Sequence, residues 1–148
     1  MRVLYSDPVL LSEKKKDKLL QFINCKTPRN DQLSDEDVWV INGKIVDPEK
    51  VFYDMRRVAD IQVDCQGLIL SPGFIDIQLN GGFGYDFTSS TPDTIENDLH
   101  QVAKRVLQFG VTAFCPTVIS SEHDVYHKLL PHIKRKRGNK DGAGILET

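Results

Sequence analysis

Apolar and polar positions follow two different rhythms along this chain of 148 residues, and the change falls near Pro72. Before it, residues 19–25, 37–41, 44–46, 61–64 and 68–70 are short runs rich in β-branched, aromatic or other apolar side chains. Such runs predict strands. Asn42-Gly43 separates two of them. Both central positions of a type I′ turn need positive φ, so this dipeptide predicts a hairpin. Residues 27–36 are polar, contain Pro28 and Asn30-Asp31, and read as a loop. Residues 1–18 have weak periodicity and the charge run Glu13-Lys14-Lys15-Lys16-Asp17-Lys18, and read as a poorly ordered lead-in. Residues 19–70 then form a small all-β module of short antiparallel strands.

After Pro72 the pattern becomes strand, helix, strand, helix, strand onset. Phe74, Asp76, Gln78 and Asn80 alternate with Ile75, Ile77 and Leu79. In a regular strand the polar side chains share one face and the apolar ones the other. A half-buried surface strand gives this alternation, and so does a strand with a site at its end. A glycine-rich loop, Gly81-Gly82-Phe83-Gly84, follows. Thr91 as N-cap and Pro92 at N1 open a helix, with Asp93 and Glu96 near its positive end. Ile95, Leu99, Val102, Val106 and Phe109 recur at helical spacing, and Gly110 ends the helix. Residues 111–119 predict a buried strand with Pro116 near its exit. Ser121 caps a second helix with Asp124 at N3, in which Val125, Leu129 and Ile133 recur every four residues, and Pro131 is expected to kink or end it. Lys134-Arg135-Lys136-Arg137 reads as a basic exit loop, and Gly144-Ile145-Leu146 begins another apolar run. This succession predicts an α/β fold of βα units around a parallel sheet.

Composition narrows the classes. With 40% hydrophobic and 27% charged residues, the chain reads as a soluble globular protein. A net charge of −2 argues for neither a nucleic-acid binder nor an acidic tail. No apolar stretch has membrane-span length, and Val9-Leu10-Leu11 is too short and wrongly flanked for a leader, so a cytoplasmic protein is expected. Cys25, Cys65 and Cys115 lack the spacing of a zinc or redox motif and read as reduced core thiols.

The candidate chemistry is sparse. The glycine loop lacks the Gly-Lys-Ser/Thr of a P-loop and is not GxGxxG, so on spacing alone it is a connecting loop. His100, His123, His127 and His132 all fall on predicted helices. His123 and His127 have chelating i, i+4 spacing, but no Glu follows His123 as a metalloprotease helix requires. No Ser or Cys sits beside a base in a nucleophile elbow.

The segment from Ser71 to Gly84 resembles the amidohydrolase superfamily signature Pro-Gly-Phe-Ile-Asp-x-His-x-His. It is most similar to the N-acetylglucosamine-6-phosphate deacetylase branch, in which Gln and Asn replace the two histidines, as Gln78 and Asn80 do here. Asp47-Pro48-Glu49-Lys50, residues 56–60, residues 110–117 and residues 125–128 resemble the animal form, and the likeness runs in order from about residue 20 to 146. The resemblance implies a (β/α)8 barrel beside a small β-sandwich. Residues 19–70 would be the N-terminal part of the sandwich. Residues 71–148 would be a truncated barrel with the first two βα units and the onset of strand 3. A dihydroorotase-like member would need His at 78 and 80.

The resemblance further implies metal-dependent hydrolysis of N-acetylglucosamine 6-phosphate to glucosamine 6-phosphate and acetate, within amino-sugar catabolism. Amides are poor ligands for a transition metal. Gln78 and Asn80 would therefore favour a single divalent metal, zinc by family, held by later strands. Gln78, Asn80 and Gly81 are expected to form a pocket wall that orients water or a sugar oxygen. The family's metal-binding Glu, two later His and catalytic Asp have no counterpart here, so no catalytic residue and no metal ligand is assigned in this chain. Where the family continues Gly-x-His-Leu-Glu-Gly-Pro, this chain reads Gly144-Ile145-Leu146-Glu147-Thr148. Glu147 is out of register with the metal Glu. The chain is expected to be inactive alone, and the whole enzyme of the family to be a homodimer. The alternative is a non-catalytic fragment or isoform that associates with a full-length subunit.

Overall fold

The computed structural model describes residues 1–146, in a mixed α/β architecture with several sheets and no closed barrel. The ending Glu147-Thr148 lies outside the described residues. The chain divides into two compact units that meet at Ser71 and Pro72.

The first unit carries strands β1 (Arg2–Leu4), β2 (Leu19–Ile23), β3 (Thr27–Arg29), β4 (Gln32–Ser34), β5 (Val38–Ile41), β6 (Lys44–Val46) and β7 (Ile61–Asp64). Five of them form one sheet in the order β1-β7-β2-β5-β6. Asn42 and Gly43 take φ of 50° and 74°, and the β5–β6 hairpin closes on them as the turn chemistry requires.

Four expectations for this unit need correction. The sheet is mixed, because β7 runs parallel to both β1 and β2. A long return through a turn of helix at Lys50–Asp54 brings β7 in alongside β2, and no hairpin joins them. Residues 68–70 make only an isolated bridge between Lys26 and Ile69, because Gln66 and Gly67 at positive φ turn the chain out of the sheet. Residues 27–36 hold the β3–β4 hairpin, with Asn30 and Asp31 at φ of 48° and 61°. Residues 1–18 also differ from the loose lead-in expected. Asp7 and Ser12 cap two short turns, and Arg2–Leu4 is an edge strand held by backbone pairing that hydrophobic periodicity does not report. Leu19, Cys25, Val51 and Cys65 are buried here, and Leu20, Ile61 and Val63 form a cluster with Val3, Leu10, Phe22 and Val40 around them.

The second unit carries β8 (Phe74–Leu79), β9 (Gly81–Gly82), β10 (Tyr85–Asp86), α1 (Ile95–Val106), β11 (Val111–Pro116), α2 (His123–Leu129) and β12 (Gly144–Ile145). β11 lies between β8 and β12, parallel to both. α1 buries Ile95, Leu99, Val102, Ala103 and Val106 against Phe87, Phe114, Leu129, Ala143 and Ile145. Phe87 and Phe114 stack at 6.3 Å near the middle of this core.

α1 begins at Ile95, three residues later than Pro92 at N1 would have it. Thr91 and Thr94 tie up a turn in between, and the Thr91 carbonyl accepts the Ile95 N–H at 2.9 Å. Phe109 is 67% exposed, since the helix tightens into a 3-10 turn at Leu107–Phe109 and the helical period no longer carries it inward. α2 has no side-chain cap. Ser121 instead receives its backbone contact from the Tyr126 hydroxyl, which accepts the Ser121 N–H at 3.1 Å. His132 lies beyond α2, in the 3-10 turn that contains Pro131.

Candidate functional site

The C-terminal ends of the parallel strands β8 and β11 come together at Leu79 and Pro116, where the Thr117 N–H donates to the Leu79 carbonyl at 2.8 Å. This is the end at which ligands bind in parallel α/β sheets, because loops diverge there. Gln78, Asn80 and Gly81 fall at this end, and Gln78 and Asn80 are exposed.

The strand is not regular, and this decides which side chains meet. Phe114 pairs with Asp76 and Pro116 with Leu79, so three steps of β8 lie against two of β11. Partners in a parallel pair project to the same side. Asp76 is therefore on the side of Phe114, which α1 covers, while Ile75 is on the opposite side with Ala113. The register shift then turns Leu79 toward the core, and its neighbours Gln78 and Asn80 alternate to the uncovered side. The three polar residues that a strict two-residue period would aim at one place are thus divided. Gln78 and Asn80 stay together, and Asp76 does not join them. Its carboxylate is engaged locally, with Oδ1 accepting the Gln78 N–H at 3.0 Å. The face expected to be an apolar back is open as well: Ile75 is 60% and Ile77 81% exposed.

The glycine-rich segment is a tight hairpin. β9 and β10 pair antiparallel around Phe83 and Gly84, which take φ of 57° and 90°. Gly81 has φ 139°, and a Cβ there would lie 2.2 Å from the Tyr85 carbonyl oxygen. Only glycine fits this approach. Asn80 closes the loop from below, its carbonyl accepting the Phe87 N–H at 3.0 Å. Arg105 of α1 holds the hairpin from the side, with its guanidinium over the Phe83 and Tyr85 rings at 5.7 and 6.0 Å. Asp86 receives the Ser89 hydroxyl at 2.6 Å and the Thr88 N–H at 3.0 Å, and these bonds hold its carboxyl below the usual carboxylate range. The Thr88 hydroxyl oxygen accepts the Ile119 N–H at 3.1 Å, linking this loop to the one after β11. Sequence patterns did not single out Thr88; the hydroxyl at a short-helix start was its only signal.

Other candidates remain dispersed. His123 and His127 are exposed on α2. Among the described residues, no three His, Cys, Asp or Glu side chains gather as a metal ion would require. The residues present therefore do not fit a divalent metal, and no chemical step in this chain is routed through one. In the first unit the Cys25 thiol donates to the Phe22 and Glu36 carbonyls at 3.7 and 3.5 Å, and the Cys65 thiol to the Val63 carbonyl at 3.8 Å. Burial raises the Cys25 thiol and pushes that of Cys65 up to about 11, so both stay protonated and unreactive. No described helix is long and apolar enough to cross a membrane.

No family model matches the chain. Among curated proteins it is 54% identical over 128 residues to an N-acetylglucosamine-6-phosphate deacetylase of Mus musculus, a match covering 86% of this chain and 31% of that protein. The protein of the same name from Homo sapiens is 52% identical over 129 residues, and that from Caenorhabditis elegans 51% over 130. The chain spans about 31% of the length of these relatives.

Proposed function

From the premise that this chain is homologous to N-acetylglucosamine-6-phosphate deacetylases over about 31% of their length, we propose that it is the first wall of such an enzyme's substrate pocket. On this reading the second unit is the opening of a (β/α)8 barrel, with β8, β11 and β12 as its first three strands. The first unit is part of a small β-sandwich. The whole enzyme hydrolyses the acetamide of N-acetylglucosamine 6-phosphate, releasing acetate and glucosamine 6-phosphate in the cytoplasm.

The identity to the mouse protein carries the reading. The pairing of Gln78 and Asn80 on the uncovered side of β8 supports it. A carboxamide both donates and accepts hydrogen bonds, so two of them side by side can orient a sugar oxygen or the attacking water. In such a hydrolase a divalent metal, zinc by family, supplies carbonyl polarisation and water activation. Its ligands are assigned to none of the residues described here. This chain on its own is therefore expected to show no deacetylase turnover.

A chimaera tests the reading. A full-length relative whose matching N-terminal third is replaced by this chain is expected to hydrolyse N-acetylglucosamine 6-phosphate, whereas this chain alone with added zinc is not. In the chimaera, Gln78→Ala with Asn80→Ala is expected to lower kcat/KM by roughly 10- to 100-fold. An inactive but folded chimaera, or turnover by the isolated chain, would sink the proposal. A second reading, a non-catalytic fragment that associates with a full-length subunit, is favoured by the exposed Ile75 and Ile77 on the edge strand β8. Co-purification with the full-length relative separates it from the first.

A further inference from the structure

The basic run after α2, Lys134 to Arg137, is exposed, as a solvated loop should be, but the chain that follows it is ordered. Residues 136–145 fold back on themselves, with Lys136 bridged to Ile145 and Asn139 to Gly142. The Ala143 N–H donates to the Ala103 carbonyl of α1 at 3.0 Å, which docks this hairpin on the helix. Between the two lies a cavity of about 410 Å³. Its floor is apolar, with Leu99, Ala103 and Ile145, and its rim carries Lys134, Arg135, Lys136 and Arg137. Glu96 and Asp141 also face it, as do His100 and His132. Four fixed cations thus outnumber two carboxylates around one concavity, in a chain whose net charge is −2. Among the described residues none of the four forms an ion pair.

We propose that this groove binds a phosphate monoester of a compact organic molecule. Guanidinium forks match phosphate oxygens bidentately, and lysines add point charge. The volume lies within the usual range for small-molecule sites, and the apolar floor suits the organic part of an ester. The groove shares no residue with Gln78, Asn80 and Gly81, and the inference does not rest on the proposed deacetylase reading.

Titration of the 148-residue chain with glucose 6-phosphate, followed by backbone amide chemical shifts, tests it. Saturable shifts are expected at Gly142, Ala143 and Ile145, with none from glucose. Inorganic phosphate is expected to act at the same amides but more weakly. Arg135→Ala with Arg137→Ala should weaken binding about tenfold or more. Glu96→Gln with Asp141→Asn should tighten it, which keeps the test decisive if the first variant does not fold. Shifts confined to Asn80 and Gly81, equal affinity for inorganic phosphate, or an affinity untouched by the charge-gaining variant would overturn the assignment.

Discussion

At Gly81 the backbone adopts a conformation that side chains disfavour, and the Tyr85 carbonyl occupies the place a Cβ would take. Both effects act in the folded state alone. Gly81→Ala is therefore expected to cost roughly 2–4 kcal/mol, read from the urea midpoint. A change under about 0.5 kcal/mol would show that the hairpin relaxes around it. Asp64 is held at a pKa of about 2 by hydrogen bonds from the Asn24 side chain, the Gln66 N–H and Arg2. Its folded pKa lies below the ordinary carboxylate value of 3.8, so its contribution is present above that value and is lost as pH falls toward about 2. Denaturation midpoints between these pH values are expected to fall less steeply in Asn24→Ala than in the parent. Parallel curves would assign the acid sensitivity elsewhere. At this scale the sequence was legible wherever the chemistry is local: Asn42-Gly43 announced its turn, while the Asp64 partners, 40 and 62 positions away, left no mark in the pattern.

Among the elements, α1 was the most readable. Ile95, Leu99, Val102 and Val106 are all buried, as helical spacing requires, and Ala103 joins them. Phe109 left the pattern because the last turn changes its rotation per residue; it stacks instead on the exposed Phe83 at 6.0 Å. Leu99→Ala is expected to cost about 3 kcal/mol by thermal or chemical denaturation, because it empties a site ringed by aromatic and aliphatic neighbours. Phe109→Ala should cost about 1 kcal/mol or less. Similar losses in the two variants would contradict this division of the helix. β8 shows the opposite case. Its alternation puts Asp76, Gln78 and Asn80 on one face, and the register shift beyond Asp76 breaks that regular period. A register shift arises from how two strands fit, and one strand's own residues do not encode it.

The two units of the molecule have unequal interiors. Among the described residues the second packs ten buried residues into one cluster, while the first buries seven apolar residues, three of which cluster. The second unit also leaves Phe74, Ile75 and Ile77 exposed on an edge strand with one neighbour. Such edges pair with other chains. Ile77→Lys is accordingly expected to lower light scattering on concentration without shifting the melting temperature. Unchanged aggregation would locate the sticky surface elsewhere. What the sequence determined by itself was the βα succession, the Asn42-Gly43 turn, the left-handed stop at Gly110, the buried face of α1 and the placing of Gln78 and Asn80 at a strand end. Each follows from φ preferences or from a period of 3.6 or 2, which act over a few residues. Only the tertiary structure decided that β7 runs parallel to β2, that Asp76 turns away from Gln78 and Asn80, and that four cations rim a cavity on α1. Those outcomes depend on which distant segments find each other and on how their backbones fit when they meet.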